Sequence, residues 1–185
     1  GTGSRTAPAR QQTLRGAFDW SHGLLGAGQK AVFRRLAVFA GSFSLTGAQA
    51  VAADAQLDEW AVLDELGALV DKSLVHPLPG SEPRYRLLES ARAFALERLA
   101  AAGETASSQA RHARAVHRLF DTADAEVLAT PTLPWVERLL PDLDNLREAM
   151  DWACGPGGDP ALAIALAGCS GDFWLAAGLA AEGAR

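Results

Sequence analysis

The chain is poor in the residues that most often carry chemistry. Its 185 residues include one methionine, one tyrosine, two cysteines and four histidines. Cys154 and Cys169 lack metal-ligand spacing, which excludes a zinc ribbon or finger and leaves reduced, buried thiols as the expectation. His22, His76, His112 and His117 form no ligand set, and His112 and His117, five residues apart, would point in different directions from a helix. No glycine-rich loop ends in Lys-Ser or Lys-Thr, so no phosphate-cradling P-loop is present. Asp19, Ser21 and His22 fall within one helical turn and cannot build a nucleophile–base–acid relay. Catalysis is not expected, nor is a resident metal or cofactor. No apolar run approaches the roughly 18 residues of a membrane span and no signal peptide precedes the first helix, so a cytoplasmic protein away from membranes is expected. Basic charge is scarce as well: 17 Lys and Arg against 22 Asp and Glu give a net charge of −5. That sign argues against a general nucleic-acid or anionic-membrane binder.

Apolar residues, at 49%, are plentiful enough for one large core or two small ones. Leu14, Ala17, Phe18, Ser21 and Leu25 form a helical stripe with Thr13 at its start, and Gly26 and Gly28 end it. Phe33, Leu36, Ala37 and Ala40 predict the inner side of a second helix, with Lys30, Arg34 and Arg35 outward and Gly41 as its stop. After an extended piece over 42–45, Thr46 is placed to cap a short helix through Ala53. Asp58 caps the next, with Trp60, Leu63, Gly67 and Val70 inward. Residues 73–77 and 84–88 read as antiparallel strands joined by the turn 79–83. Helix, short strand, helix, helix and hairpin is the order of a winged helix, with 79–83 as the wing tip.

Beyond Glu89 the pattern is helical. Ala91, Phe94, Ala95, Leu99 and Ala102 share a face, and Gly103 closes that helix. Ala115, Leu119, Thr122 and Ala123 mark another. Pro131 and Pro134 interrupt the chain before a helix pair, 135–140 and 143–153, hinged at Pro141. Residues 154–158 form a loop, and Asp159-Pro160 opens a helix as cap and first residue. The fold class expected is mainly α: a winged helix with a small β-hairpin, then an α-helical, tetratricopeptide-like array. The division is a linking helix over 1–25, the winged helix over 26–89, connecting helices over 90–130 and the start of the repeats over 131–185. Both ends read as cut. Residues 161–167 are apolar on every side and Phe173, Trp174, Leu175 and Leu179 follow, so self-association through these helices, or a disordered tail, is expected around 173–179.

In winged helices that read DNA the third helix lies in the major groove. Here it and its lead-in, 54–72, carry Asp54, Asp58, Glu59, Asp64, Glu65 and Asp71 against Lys72 alone, six acids minus one base, or −5. Phosphate neutralisation needs the opposite sign. Direct contact with nucleic acid is not expected. Asp58, Glu59, Asp64 and Glu65 are candidates for an acidic docking face, or form a solvated surface. A DNA-binding winged helix of a transcription factor stands as the alternative.

Several blocks resemble the bacterial signal-transduction ATPases with numerous domains (STAND). They are Arg10-Gln-Gln-Thr-Leu-Arg15, Asp19-Trp-Ser21, Leu24-Leu25, Phe33-Arg-Arg-Leu-Ala-Val-Phe-Ala-Gly41, Leu69-Val-Asp-Lys-Ser-Leu-Val75, Tyr85-Arg-Leu-Leu-Glu89, Phe94-Ala-Leu-Glu-Arg-Leu99 and Leu143-Asp-Asn-Leu-Arg-Glu-Ala-Met-Asp-Trp152. The resemblance implies a regulator with an ATP/ADP-binding P-loop domain N-terminal to Gly1 and repeats continuing past Arg185. It implies that the winged helix docks on that nucleotide-binding core, and that the helical repeats receive a protein or small-molecule inducer. In the related NB-ARC proteins a Met-His-Asp motif at the strand-to-helix junction senses nucleotide. Leu87, Leu88 and Glu89 take those positions, flanked by Arg84 and Arg86. Leu88 departs from the motif because it cannot hydrogen-bond a phosphate, whereas Glu89 keeps the carboxylate.

Overall fold

The computed structural model describes residues 6–80 and 82–179, with side chains from Arg15 onward. Leu14 and Thr13 of the first stripe lie outside the described side chains, and residues 180–185 lie outside the described residues altogether. The helices are α1 (Thr6–Gly23), α2 (Ala27–Arg35), α3 (Leu45–Ala52), α4 (Glu59–Asp71), α5 (Glu89–Ala101), α6 (Thr105–Ala125), α7 (Thr132–Leu139), α8 (Leu143–Cys154) and α9 (Pro160–Ala176). Strands β1 (Phe43–Ser44), β2 (His76–Leu78) and β3 (Arg84–Arg86) form one antiparallel sheet in the order β1-β3-β2. A winged helix followed by a helical array is what the chain builds.

Local chemistry sets most boundaries. The Gly26 N–H donates to Gln29 Oε1 at 3.3 Å and starts α2. Ser44, not Thr46, caps α3, its Oγ accepting from Gly47 N at 3.1 Å. Asp58 caps α4 as expected, accepting from Ala61 N at 2.8 Å. Asp159 caps α9 with Pro160 behind it. α4 ends at Asp71, the chain turns at Ser73, whose φ of 57° is left-handed, and Leu74 N then donates back to Leu69 O at 3.0 Å. That turn keeps 73–75 out of the sheet, so β2 begins three residues later than the alternation suggests. At the other side Tyr85 pairs with Phe43 as well as Pro77, making β3 the central strand. Leu87 and Leu88 leave the ladder because Leu87 is buried in the core and Leu88 is the N-terminal cap residue of α5.

Two helices are rotated relative to their expected faces. α4 buries Val62, Leu66 and Leu69, while Trp60 is 76% exposed and Gly67 is exposed. The stripe through Gly67 has a gap where a side chain would pack, so the alternative stripe buries more apolar surface. α6 buries Ser108, His112, Ala113, Val116, Phe120 and Ala123, and leaves Leu119 partly exposed. α6 touches α3 on one side and α8 and α9 on another, and one narrow stripe could not serve both.

Two cores result. One gathers Val32, Phe33, Leu36, Phe43, Leu66, Leu69, Phe94 and Leu99 of the winged helix and α5. The other holds Phe120, Trp135, Leu139, Leu146, Leu166, Phe173 and Trp174. Phe173 meets Phe120 edge-on at 5.2 Å, and Trp174 Nε1 donates to Ser170 Oγ at 3.0 Å. The expected bare patch is therefore corrected for Phe173 and Trp174, which their own chain covers. Ile164 and Leu175 stay exposed on α9, and an apolar all-round helix here has one uncovered side.

Candidate functional site

In a winged helix the outer face of the third helix, here α4, is the usual contact surface. Its solvent side presents Glu59, Trp60, Asp64, Gly67 and Asp71, with Leu63 half-buried at the edge. Of the four acids singled out in sequence, Glu59 and Asp64 share this face. Asp58 is engaged as the helix cap, and Glu65 lies on the opposite flank against Gly28, where a Cβ would collide with its carboxylate. Asp54, also counted in the −5, is paired with Arg35. The free acidic face is thus narrower than the sequence suggests, and it carries an exposed tryptophan at its centre.

The wing carries little positive charge either. Its tip, 79–83, contains Glu82 and no base. Arg84, at the start of β3, turns inward. Its Nη1 and Nη2 donate to Asp142 Oδ2 and Oδ1 at 2.8 and 2.9 Å, and its Nε donates to Ser42 Oγ at 2.8 Å. Arg86, on the next outward position, is exposed.

The strand-to-helix junction places Arg86, Leu88 and Glu89 close together in the chain and all on the surface. Leu88 is 43% exposed, and its carbonyl accepts the Arg92 N–H at 2.8 Å as the first bond of α5. Glu89 occupies the first helical position, where a carboxylate suits the free amides and the dipole.

The joint between the winged helix and the array is where the sequence hid most. Asn145 of α8 donates Nδ2 to Ser42 O at 2.7 Å and to Asp142 Oδ1 at 3.0 Å, while its Oδ1 accepts the Ala40 N–H at 3.1 Å. Arg92 Nε donates to Phe39 O at 2.7 Å and Arg111 Nε to Val51 O at 2.6 Å. His112 of α6 is buried and stands edge-on to Phe39 at 5.0 Å. Burial pushes its pKa down to about 4 despite a hydrogen bond with Asn145, so it is neutral, and its Nε2 is buried without a partner. Arg35, expected outward, is buried instead: it donates to Ala52 O and shares Glu104 with Arg34. Those two guanidinium groups hold the Glu104 carboxyl at about 2. Among the described residues no group of His, Cys, Asp and Glu is arranged to hold a metal ion. No described helix is long and apolar enough to cross a membrane.

Comparison with known proteins agrees with this architecture. Residues 25–100 match the family described as a winged helix-turn-helix domain. The chain is 47% identical over 157 residues to proteins of Mycobacterium tuberculosis and Mycobacterium bovis named "Putative HTH-type transcriptional regulator", an alignment covering 82% of this chain and 17% of each relative. It is also 44% identical over 105 residues to an uncharacterized protein of Mycobacterium tuberculosis, covering 55% of this chain and 26% of that one. The chain thus spans about one sixth of the length of the regulators it matches. No solved structure matches it significantly.

Proposed function

We propose that this chain is a non-catalytic regulatory segment of a transcriptional regulator, in which the winged helix is a protein-docking module and the helical array a signal-receiving scaffold. The names of the mycobacterial relatives support the regulatory role. The observation that carries the docking reading is the outer face of α4: Glu59, Asp64 and Asp71 surround Trp60, and Lys72 is the one base between residues 54 and 72. A helix entering the major groove must neutralise phosphates, whereas an aromatic anchor rimmed by acids suits a basic protein surface. The resemblance to STAND regulators supplies the candidate surface, a nucleotide-binding domain of the same polypeptide, held or released according to whether ADP or ATP is bound there. In that arrangement Arg86, Leu88 and Glu89 would lie nearest the nucleotide, with Glu89 positioning backbone rather than contacting phosphate.

A second reading, that the winged helix itself binds DNA, is favoured by the helix-turn-helix family match and by the relatives' names. Electrophoretic mobility of the chain with random duplex at low salt separates the two. The docking reading expects no retarded band. A shift that disappears as salt rises would establish the DNA reading, because each neutralised phosphate steepens the salt dependence.

A further inference from the structure

A cleft of about 390 Å³ opens where β1 and α3 of the winged helix face α6 and α7 of the array, within the range of small-molecule sites. Its walls come from both modules. Phe43 and Ala50 line one side, Val116, Leu119 and Thr122 another, and Leu139 stands at the α7 end.

We propose that this cleft binds a small amphipathic monoanion, with its apolar body between Phe43 and Val116 and its anionic head at Arg118. Six charged side chains border the cleft, and four of them neutralise one another in pairs. Arg84 is held by Asp142 at 2.8 Å, and Arg138 by Glu126 at 2.6 Å. Arg118 and Glu82 remain. Arg118 stands exposed on α6, and its guanidinium has no hydrogen bond or ion pair among the described residues. Glu82 belongs to the wing tip and repels an anion there, which leaves the α6 side for the head. Between the two the surface is apolar, and Leu119 leaves 40% of its area in water. An alkyl or aromatic body would remove that surface from solvent, and a carboxylate would give Arg118 the partner it lacks.

The consequence is a coupling of modules. A ligand touching α3 and α6 at once binds only when the two stand as they do here, so it stabilises the joint by mass action. The site is independent of whether α4 meets protein or DNA, and its test does not depend on either.

Calorimetry and thermal melting with octanoate, octanol and octylamine use one tail with three heads. Octanoate should bind and raise the melting temperature, octanol should bind at least tenfold more weakly, and octylamine should be weakest. Arg118→Gln should erase the preference for octanoate over octanol. Thr122→Trp, at an exposed position on the cleft wall, should abolish binding while circular dichroism stays unchanged. The proposal is overturned if none of the three binds at millimolar concentration, if the three bind alike, or if octanoate binding survives Thr122→Trp.

Discussion

Acidification should weaken the joint through His112 before the carboxylate pairs are reached. In the unfolded chain this imidazole titrates at its ordinary value of 6.5; in the folded chain burial lowers it to about 4. The unfolded state therefore binds the extra proton between those values, and stability falls as pH drops from about 6.5 toward 4. Linkage gives a loss of about 2 kcal/mol by pH 5 and about 3 kcal/mol once the full difference is spent. For a chain of this length 2 kcal/mol at pH 5 is a fall in melting temperature of about 4–8 °C. Glu104 acts in the same direction but lower, between its ordinary 4.5 and about 2, because its two arginines need the ionised carboxylate. His22 is also shifted down, chiefly by burial, and contributes equally to any His112 variant. Denaturant unfolding of the native chain and of His112→Gln at pH 7.5, 6 and 5 isolates the one group. The native chain should lose about 2 kcal/mol more than the variant over that range. Parallel stability curves would refute the assignment of a buried neutral imidazole at the joint.

The Arg84–Asp142 contact should be worth more than a surface ion pair, since both side chains are mostly buried and doubly hydrogen-bonded. Asp142→Ala should cost about 2–3 kcal/mol, and a double-mutant cycle with Arg84→Ala should show clear coupling by denaturant unfolding. Phe173→Ala should cost about 3–5 kcal/mol, because its ring is fully enclosed by Phe120, Trp135 and Trp174; a change below 1 kcal/mol would mean that α9 does not pack as described. Glu89→Ala should cost only about 0.3–1 kcal/mol, the value of an exposed first-turn acid, and calorimetry with ATP or ADP should give no heat with either protein.

How much of this was legible beforehand follows the range of each interaction. The order of elements was readable because it rests on neighbours in sequence: the Asp58 and Asp159 caps, Pro160 behind its cap, Gly103 at a left-handed φ of 69°. The facing of helices was less so. A period of 3.6 admits more than one stripe when apolar residues are abundant, and α4 and α6 each chose the stripe that their neighbours cover. The partners of charges were not legible at all. Arg84 meets Asp142 across 58 residues and Arg35 meets Glu104 across 69, and nothing in the local spacing of either arginine marks it as inward. Asn145 lies in the stretch 143–152 that resembles the STAND regulators, yet its role emerges only when Ser42, Ala40 and Asp142 converge on one amide.

These hidden pairs bear on function more than the fold does. A winged helix placed on DNA offers bases from its third helix and from its wing. In this chain the third helix presents acids around Trp60, the wing tip carries Glu82, and the first basic residue of β3 is withdrawn into the joint by Asp142. Releasing Arg84 would return a positive charge to the base of the wing, but would leave Asp142, which also accepts from Asn145, without its arginine. The same contact therefore removes charge from the wing and fixes the array against it. An architecture shared with DNA-binding proteins keeps its geometry here, while the charges on its third helix and wing tip are opposite in sign to those that neutralise phosphates.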